Sequence, residues 1–279
     1  MRTPLAAAAP ISTRIRHLAL ASAVLLGAGV GASADTITPP PAIAAAKKIV
    51  ICADIGSPPL SFYDANGKTV GAEVELGDAI AKQLGVATEW RQVQFDGIIP
   101  ALMAKQCDAI MSELYDKPKR REVVDFVDYL NSSQSLVVQK GNASGIHGLD
   151  DLSGKKVAVE NGTTIQSLVE EQNKKFAQAG KAPADIVVFP KDTDAFQALR
   201  IGQVQAYGTT IKTAGYYFKQ APDLFEIGGE PFAKAIIGAA FRKDDTELQK
   251  AFAAGLANLR KDGTYESILK TWGIERDAL

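Results

Sequence analysis

The feature that most constrains this chain is an alternation that runs once, pauses, and starts again. From Lys48 there is an apolar run to Ala53, a stretch with helical spacing ("GAEVELGDAIAKQLG"), and a β-like run ("TEWRQV"). A second helix-like segment ("FDGIIPALMAKQ") and a short apolar run ("CDAIMS") complete the first pass. In the first helical stretch Val74, Leu76, Ala79, Ile80 and Leu84 share one broad face. Pro100 fits the second only near its start, where no amide hydrogen is required of it. The second pass begins at "LDDLSGKKVAVENGTTIQSLVEEQ", which gives a turn, a strand, a Gly-Thr-Thr corner and a helix. It continues through "DIVVFP" as strand, "DTDAFQALRIGQ" as a helix capped by Asp192 or Thr193, "VQAYGTT" as strand and "KTAGYYFKQ" as helix. Each pass has the βαβαβ order of a parallel sheet covered by helices. The expected fold class is therefore α/β, with two Rossmann-like lobes.

Two extended segments separate these units. "DYLNSSQSLVVQ" lies between the lobes, and "FAKAIIGAAFRK" precedes two C-terminal helices that each end at a glycine. Two crossings make a two-strand hinge and return the last helices to the first lobe. The expected boundaries are 47–132 for the first part of lobe 1, 133–236 for lobe 2 and 237–279 for the return to lobe 1. A cleft between the lobes is where a small molecule would bind.

The segment before Lys48 reads as export machinery. Arg14 and Arg16 precede the apolar run Leu18–Val30, and "ASA" ends at Ala34, a small-residue cleavage pattern. Residues 1–34 are expected to be a cleaved signal peptide and 35–46 a flexible mature N-terminus, which puts the protein in the periplasm. In an oxidising compartment Cys52 and Cys107 are either disulfide-bonded or two buried thiols, and sequence leaves both open.

Several function classes are disfavoured. The formal net charge is −1, and no Lys/Arg stripe is interleaved with aromatics, so nucleic acid is not an expected partner. Of two histidines, His17 falls in the signal segment and His147 sits alone in a loop, so no zinc centre and no cofactor is expected. "ENGTT" could present helix-start amides to an anion, though Thr163 or Thr164 acting as a plain cap explains it equally well. Glu73 and Glu75 read as acids that complement a helix dipole.

Taken together, "GAEVELGDAIAKQLG", "FDGIIPAL", "CDAIMS", "KPKRREVVDFVDYL", "VAVENGTT" and "DGTYESILKTWG" resemble, in order and spacing, family 3 of the bacterial extracellular solute-binding proteins. The resemblance covers about Lys48 to Trp272. It implies a type II periplasmic binding protein that delivers a small solute to an ABC importer permease, works as a monomer and is not an enzyme. Arg120 matches the family's carboxylate anchor, and a planar guanidinium offers paired donors to two carboxylate oxygens. Thr164, with Thr163 beside it, matches the second carboxylate contact from the other lobe. Phe95 matches a wall against the ligand side chain, Asp54 a pocket-edge acid, and Ser112 and Glu113 line the carboxylate site.

Three departures bear on the ligand. Ser57 stands where many relatives have tyrosine, and Tyr115 where they have serine or threonine. Thr210 replaces the aspartate that usually holds the ligand's α-ammonium, and losing such a buried partner costs ~3–5 kcal/mol. Either Glu113, helped by Asp54, takes over the ammonium, or the ligand is an amine-free carboxylate. An amino acid or derivative is the expected solute. The alternative on the same fold is a dehydratase acting on prephenate- or arogenate-like compounds, with Glu113 and Tyr115 as its acids. A freestanding sensor is a further alternative.

Overall fold

The computed structural model describes residues 37–279. The expected signal peptide, its cleavage point and residues 35–36 lie outside them. Residues Pro41–Ala46 form a short helix (α1), and Ile43 is buried against the first core. A proline at the first helical position needs no partner for a missing N–H, so the turn begins there readily.

The first unit consists of β1 (Lys48–Ala53), a small ribbon of β2 (Phe62–Tyr63) and β3 (Thr69–Val70), α2 (Ala72–Gln83), β4 (Ala87–Gln92), α3 (Ile98–Met103) and β5 (Ala109–Ile110). β1 lies between β4 and β5 and is parallel to both. "CDAIMS" yields only two strand residues because the chain turns away at Glu113, which has a positive φ of 47°. Pro100 is the third residue of α3, as its missing donor requires.

A single helical turn, α4 (Pro118–Arg121), leads into the long strand β6 (Val124–Gln139). The second unit follows as β7 (Lys156–Glu160), α5 (Thr164–Gln178), β8 (Asp185–Phe189), α6 (Asp192–Arg200), β9 (Ala206–Thr210) and α7 (Ile211–Gln220). β7 lies between β8 and β9, again parallel to both, so the strand order of the first unit is repeated. β10 (Phe225–Ile227) pairs with the end of β6, and β11 (Phe232–Arg242) leads to α8 (Thr246–Lys261) and α9 (Thr264–Trp272).

β6 and β11 serve both units. Val124–Asn131 of β6 pairs antiparallel with β11, while Gln134–Val137 pairs with β9. On β11, Ile237, Ala239 and Phe241 belong to the first core, and Phe232 packs against the second. The first core joins β1, α2, α8 and α9 through Ile51, Leu76, Ile80, Phe252 and Leu269. The second is built separately from Val157, Val159, Ile165 and Val169 on one sheet face, and from Phe196, Leu199 and Tyr207 on the other. Cys52 and Cys107 are disulfide-bonded with Cα atoms 5.7 Å apart, inside the first unit.

Gly71 precedes α2 with φ 135°, and a Cβ there would lie 2.1 Å from the Leu60 carbonyl oxygen. Only glycine fits that approach, and it sets α2 so that Glu73 points inward.

Candidate functional site: an acid-rich cleft

In each unit the central strand's neighbours are connected in opposite directions, so the crevice outside its carboxyl end is a topological switch point. β1 ends at Ala53 and is followed by Asp54; β7 ends at Glu160. These two switch points face each other across one cleft. It encloses about 460 Å³ of unfilled space, open solvent included, and side chains of the two lobes meet across it. The lobes are thus closed upon it. Asn161 Nδ2 donates to Asp96 Oδ2 at 2.7 Å, and the Phe62 and Tyr216 rings meet at 5.4 Å.

From the first lobe, Ser57, Phe95, Ser112, Glu113 and Tyr115 line the cleft. Ser112 Oγ accepts the Asp54 amide at 2.8 Å, which fixes the end of β1 to the end of β5. Tyr115 is buried, with its hydroxyl donating to Ser132 Oγ at 2.9 Å and accepting from Gln134 Nε2 at 2.7 Å. Burial pushes that phenol far above its ordinary range. From the second lobe come Thr163 and Thr164 at the start of α5, and Thr210 at the end of β9. Thr163 is the cap of α5, its hydroxyl accepting from the Gln166 amide at 3.4 Å. Thr210 is the cap of α7, accepting from the Thr213 amide at 3.4 Å. A threonine between a strand and a helix is suited to that work.

Arg120 does not line the cleft. It is half-buried, stacked 5.6 Å over the Phe95 ring, and Nη1 donates to the Tyr115 carbonyl at 2.9 Å. Burial lowers its guanidinium to about 10, so it stays charged at neutral pH. Asp54 lies behind the cleft lining with Oδ1 accepting from Gln92 Nε2 at 2.7 Å.

Glu113 is not a free carboxylate. Ser132 donates to Oε1 at 3.3 Å, and Nζ of the fully buried Lys212 lies 3.9 Å away. Lys212 is also 3.9 Å from Asp277, so one lysine of the second lobe sits between two acids of the first. Burial raises the Glu113 carboxyl, and Lys212 opposes that rise.

Sequence reasoning missed three other acids. Glu73, read there as a dipole complement, is fully buried; its Oε1 accepts the Glu113 amide at 2.7 Å and the Tyr129 hydroxyl. Desolvation raises its carboxyl to about 7. Asp192, expected as a helix cap, is not one. Lys191 holds the cap position without a side-chain bond, and Asp192 turns inward to the cleft. It accepts from the Tyr207 hydroxyl at 2.5 Å and Thr209 Oγ1 at 3.2 Å, and burial raises it to about 7. Glu160 also lines the cleft; burial, with the acids Asp54 and Asp192 nearby, raises it well above the carboxylate range. Acid at a strand end was visible in "VAVENG", but its burial was not.

Two α/β lobes with facing switch points, joined by two shared strands around a narrow polar cleft, define a type II periplasmic binding protein fold. Residues 49–275 match the sequence profile of the bacterial extracellular solute-binding proteins, family 3, and the chain belongs to that family. It is 32% identical over 216 residues to the L-cystine-binding protein TcyJ of Escherichia coli, covering 77% of this chain and 78% of that one. An ancestral arginine-binding protein bound to arginine superposes with a TM-score of 0.76 at 37% identity, over 81% of this chain and 98% of the other. The ancestral amino acid-binding protein AncCDT-1, a precursor of cyclohexadienyl dehydratase, gives 0.75 at 34% identity, over 83% and 97%.

Proposed function

We propose that this protein is the periplasmic substrate-binding subunit of an ABC importer. It captures an amino acid or close derivative by lobe closure and presents it, as a monomer, to a membrane permease. The observation that carries this reading is the closed cleft at two facing switch points, lined by carboxyls from both lobes and by the start of α5. Relatives named for L-cystine and arginine binding support an amino-acid ligand.

In this reading the ligand carboxylate sits near Thr164 and the α5 start, with Thr163 behind it. Arg120 leaves the Tyr115 carbonyl to join it. Phe95 and Ser57 flank the ligand, while Ser112, Tyr115 and Thr210 shape the floor. The boundaries 47–132, 133–236 and 237–279 assign lobe 1, lobe 2 and the return to lobe 1.

The test combines a thermal-shift screen of ligand-stripped protein with small-angle scattering. An amino acid at ~100 times its dissociation constant should add about 2.7 kcal/mol of stability, together with a fall in radius of gyration. Arg120→Ala should abolish the shift. Scattering curves that do not change with a stabilising ligand would count against closure.

The dehydratase reading draws on the likeness to a dehydratase precursor. Against it, Glu113 is already neutralised by Lys212, and the Tyr115 hydroxyl is held in two hydrogen bonds. Conversion of prephenate to phenylpyruvate by purified protein would favour the enzyme.

A further inference from the structure

One helix of the second lobe touches the first lobe along most of its length. On α7, Lys212, Tyr216 and Lys219 follow at intervals of four and three residues, so they share one face. That face borders a groove whose other wall is the C-terminal segment of the first lobe, from Trp272 to Asp277.

Three contacts run along it. Lys212 Nζ, fully buried, stands 3.9 Å from Glu113 Oε1 and 3.9 Å from Asp277 Oδ2; among the described residues it has no hydrogen-bond partner. Burial alone favours the neutral amine, and both acids oppose that. One turn on, the Tyr216 ring meets Phe62 at 5.4 Å, and Phe62 meets Trp272 edge-on at 5.8 Å. At the far end Lys219 Nζ approaches Gly273, which closes α9, so nearly that a Cβ on that glycine would lie 2.5 Å from it. The carbonyls that end a helix favour a cation there.

Both acids are fixed on the first lobe. Glu73 Oε1 accepts the Glu113 amide at 2.7 Å, and Ser132 donates to the Glu113 carboxylate. Asp277 lies in a short turn, Glu275–Asp277, tied down by the next residue. Ala278 bridges to Leu130 of β6, and its carbonyl accepts from Asn131 Nδ2 at 2.8 Å. A lysine of one lobe thus fills a gap that the other lobe holds ready.

We infer that Lys212 is an ionic latch that holds the two lobes together through protein contacts alone, with Tyr216 and Lys219 extending the grip along α7. The inference rests on the reading above that the lobes open and close. Opening draws Lys212 from between its two acids and returns all three to water. Without Lys212, closure would bury Glu113 with no cation beside it, which is more costly than burying the pair. The latch therefore favours closure of the empty lobes and slows release of whatever they hold.

Small-angle scattering of the mature protein, stripped of solute, tests this. Lys212→Met keeps the bulk of the side chain but not its charge. It should shift the closed-to-open ratio toward open by at least about tenfold, read as a rise in radius of gyration over wild type. Adding Glu113→Gln removes the stranded charge and should bring the radius back toward the wild-type value. A lysine that merely packs α7 would instead lower the urea midpoint of Lys212→Met, with no rescue by Glu113→Gln. Asp277→Asn lies on a terminal turn and should give a smaller expansion in the same direction, which keeps the latch testable if Lys212→Met does not fold.

Lys212→Met as compact as wild type would overturn the latch, as would an expansion that Glu113→Gln fails to reverse. Where Lys212→Met does not fold, an Asp277→Asn radius equal to that of wild type would do the same. All of these curves are taken without solute, so none bears on the amino-acid reading, whose own failure would appear as a thermal screen with no shift.

Discussion

At the scale of single residues, the site depends on an acid that never reaches the cleft. Glu73 holds the Glu113 amide, and Glu113 has the left-handed backbone that bends the chain away from β5. Its folded carboxyl is raised from 4.5 to about 7, chiefly by desolvation, so the native state binds more protons than the unfolded chain between those values. Stability therefore falls as pH rises through that window and levels off above it. The loss is on the order of 3 kcal/mol, at 1.36 kcal/mol per unit. Glu73→Gln should flatten that part of the profile; melting temperatures of ligand-free protein from pH 4.5 to 8 give the comparison. A wild-type curve that rises across the window would contradict the assignment. The acids Glu73, Asp192 and Glu160 illustrate what sequence conceals. Residue type and position beside a strand or helix were legible, but whether a carboxylate points inward depends on how its element rotates against the sheet. For the same reason Asp192 read as a cap.

At the scale of elements, the two repeats of strand and helix were legible because hydrophobic period and glycine punctuation are local signals. β1 and β7 fall where their apolar runs do. The long reach of β6 was underread, since its extended conformation is set by pairing with β11, β9 and β10 rather than by its own polar middle. The turn from β7 into α5 carries a testable contact. Gly162 has φ 75°, and a Cβ there would stand 2.8 Å from the Asp96 Cα in the opposing lobe. Gly162→Ala adds both backbone strain of roughly 1–2 kcal/mol and a clash felt only on closure. Ligand affinity should drop by more than the fold's stability does. Asn161→Ala removes the neighbouring hydrogen bond without strain and should weaken binding by about 0.5–1.5 kcal/mol. Calorimetric affinity paired with chemical denaturation separates the two effects; an equal loss in both would place the strain in the lobe rather than in closure.

At the scale of the whole molecule, the two lobes keep separate cores and share only β6 and β11, so stability and closure can be altered independently. The Cys52–Cys107 bond spans 55 residues within the first lobe. In the chain-entropy account a loop of that length stabilises the fold by about 4 kcal/mol. Cys52→Ala with Cys107→Ala should lower denaturant stability by roughly that amount, within a factor of two, while ligand affinity stays within about threefold because the bond does not cross the cleft. A large loss of affinity would mean that the first lobe's switch point depends on the cross-link. That bond also occupies both of the chain's cysteines. A single thiol introduced at exposed Ser167, on α5 beside the cleft mouth, would be the one site for a maleimide dye. A polarity-sensitive fluorophore there would turn closure into an optical signal, making the protein a reagentless sensor for its own ligand.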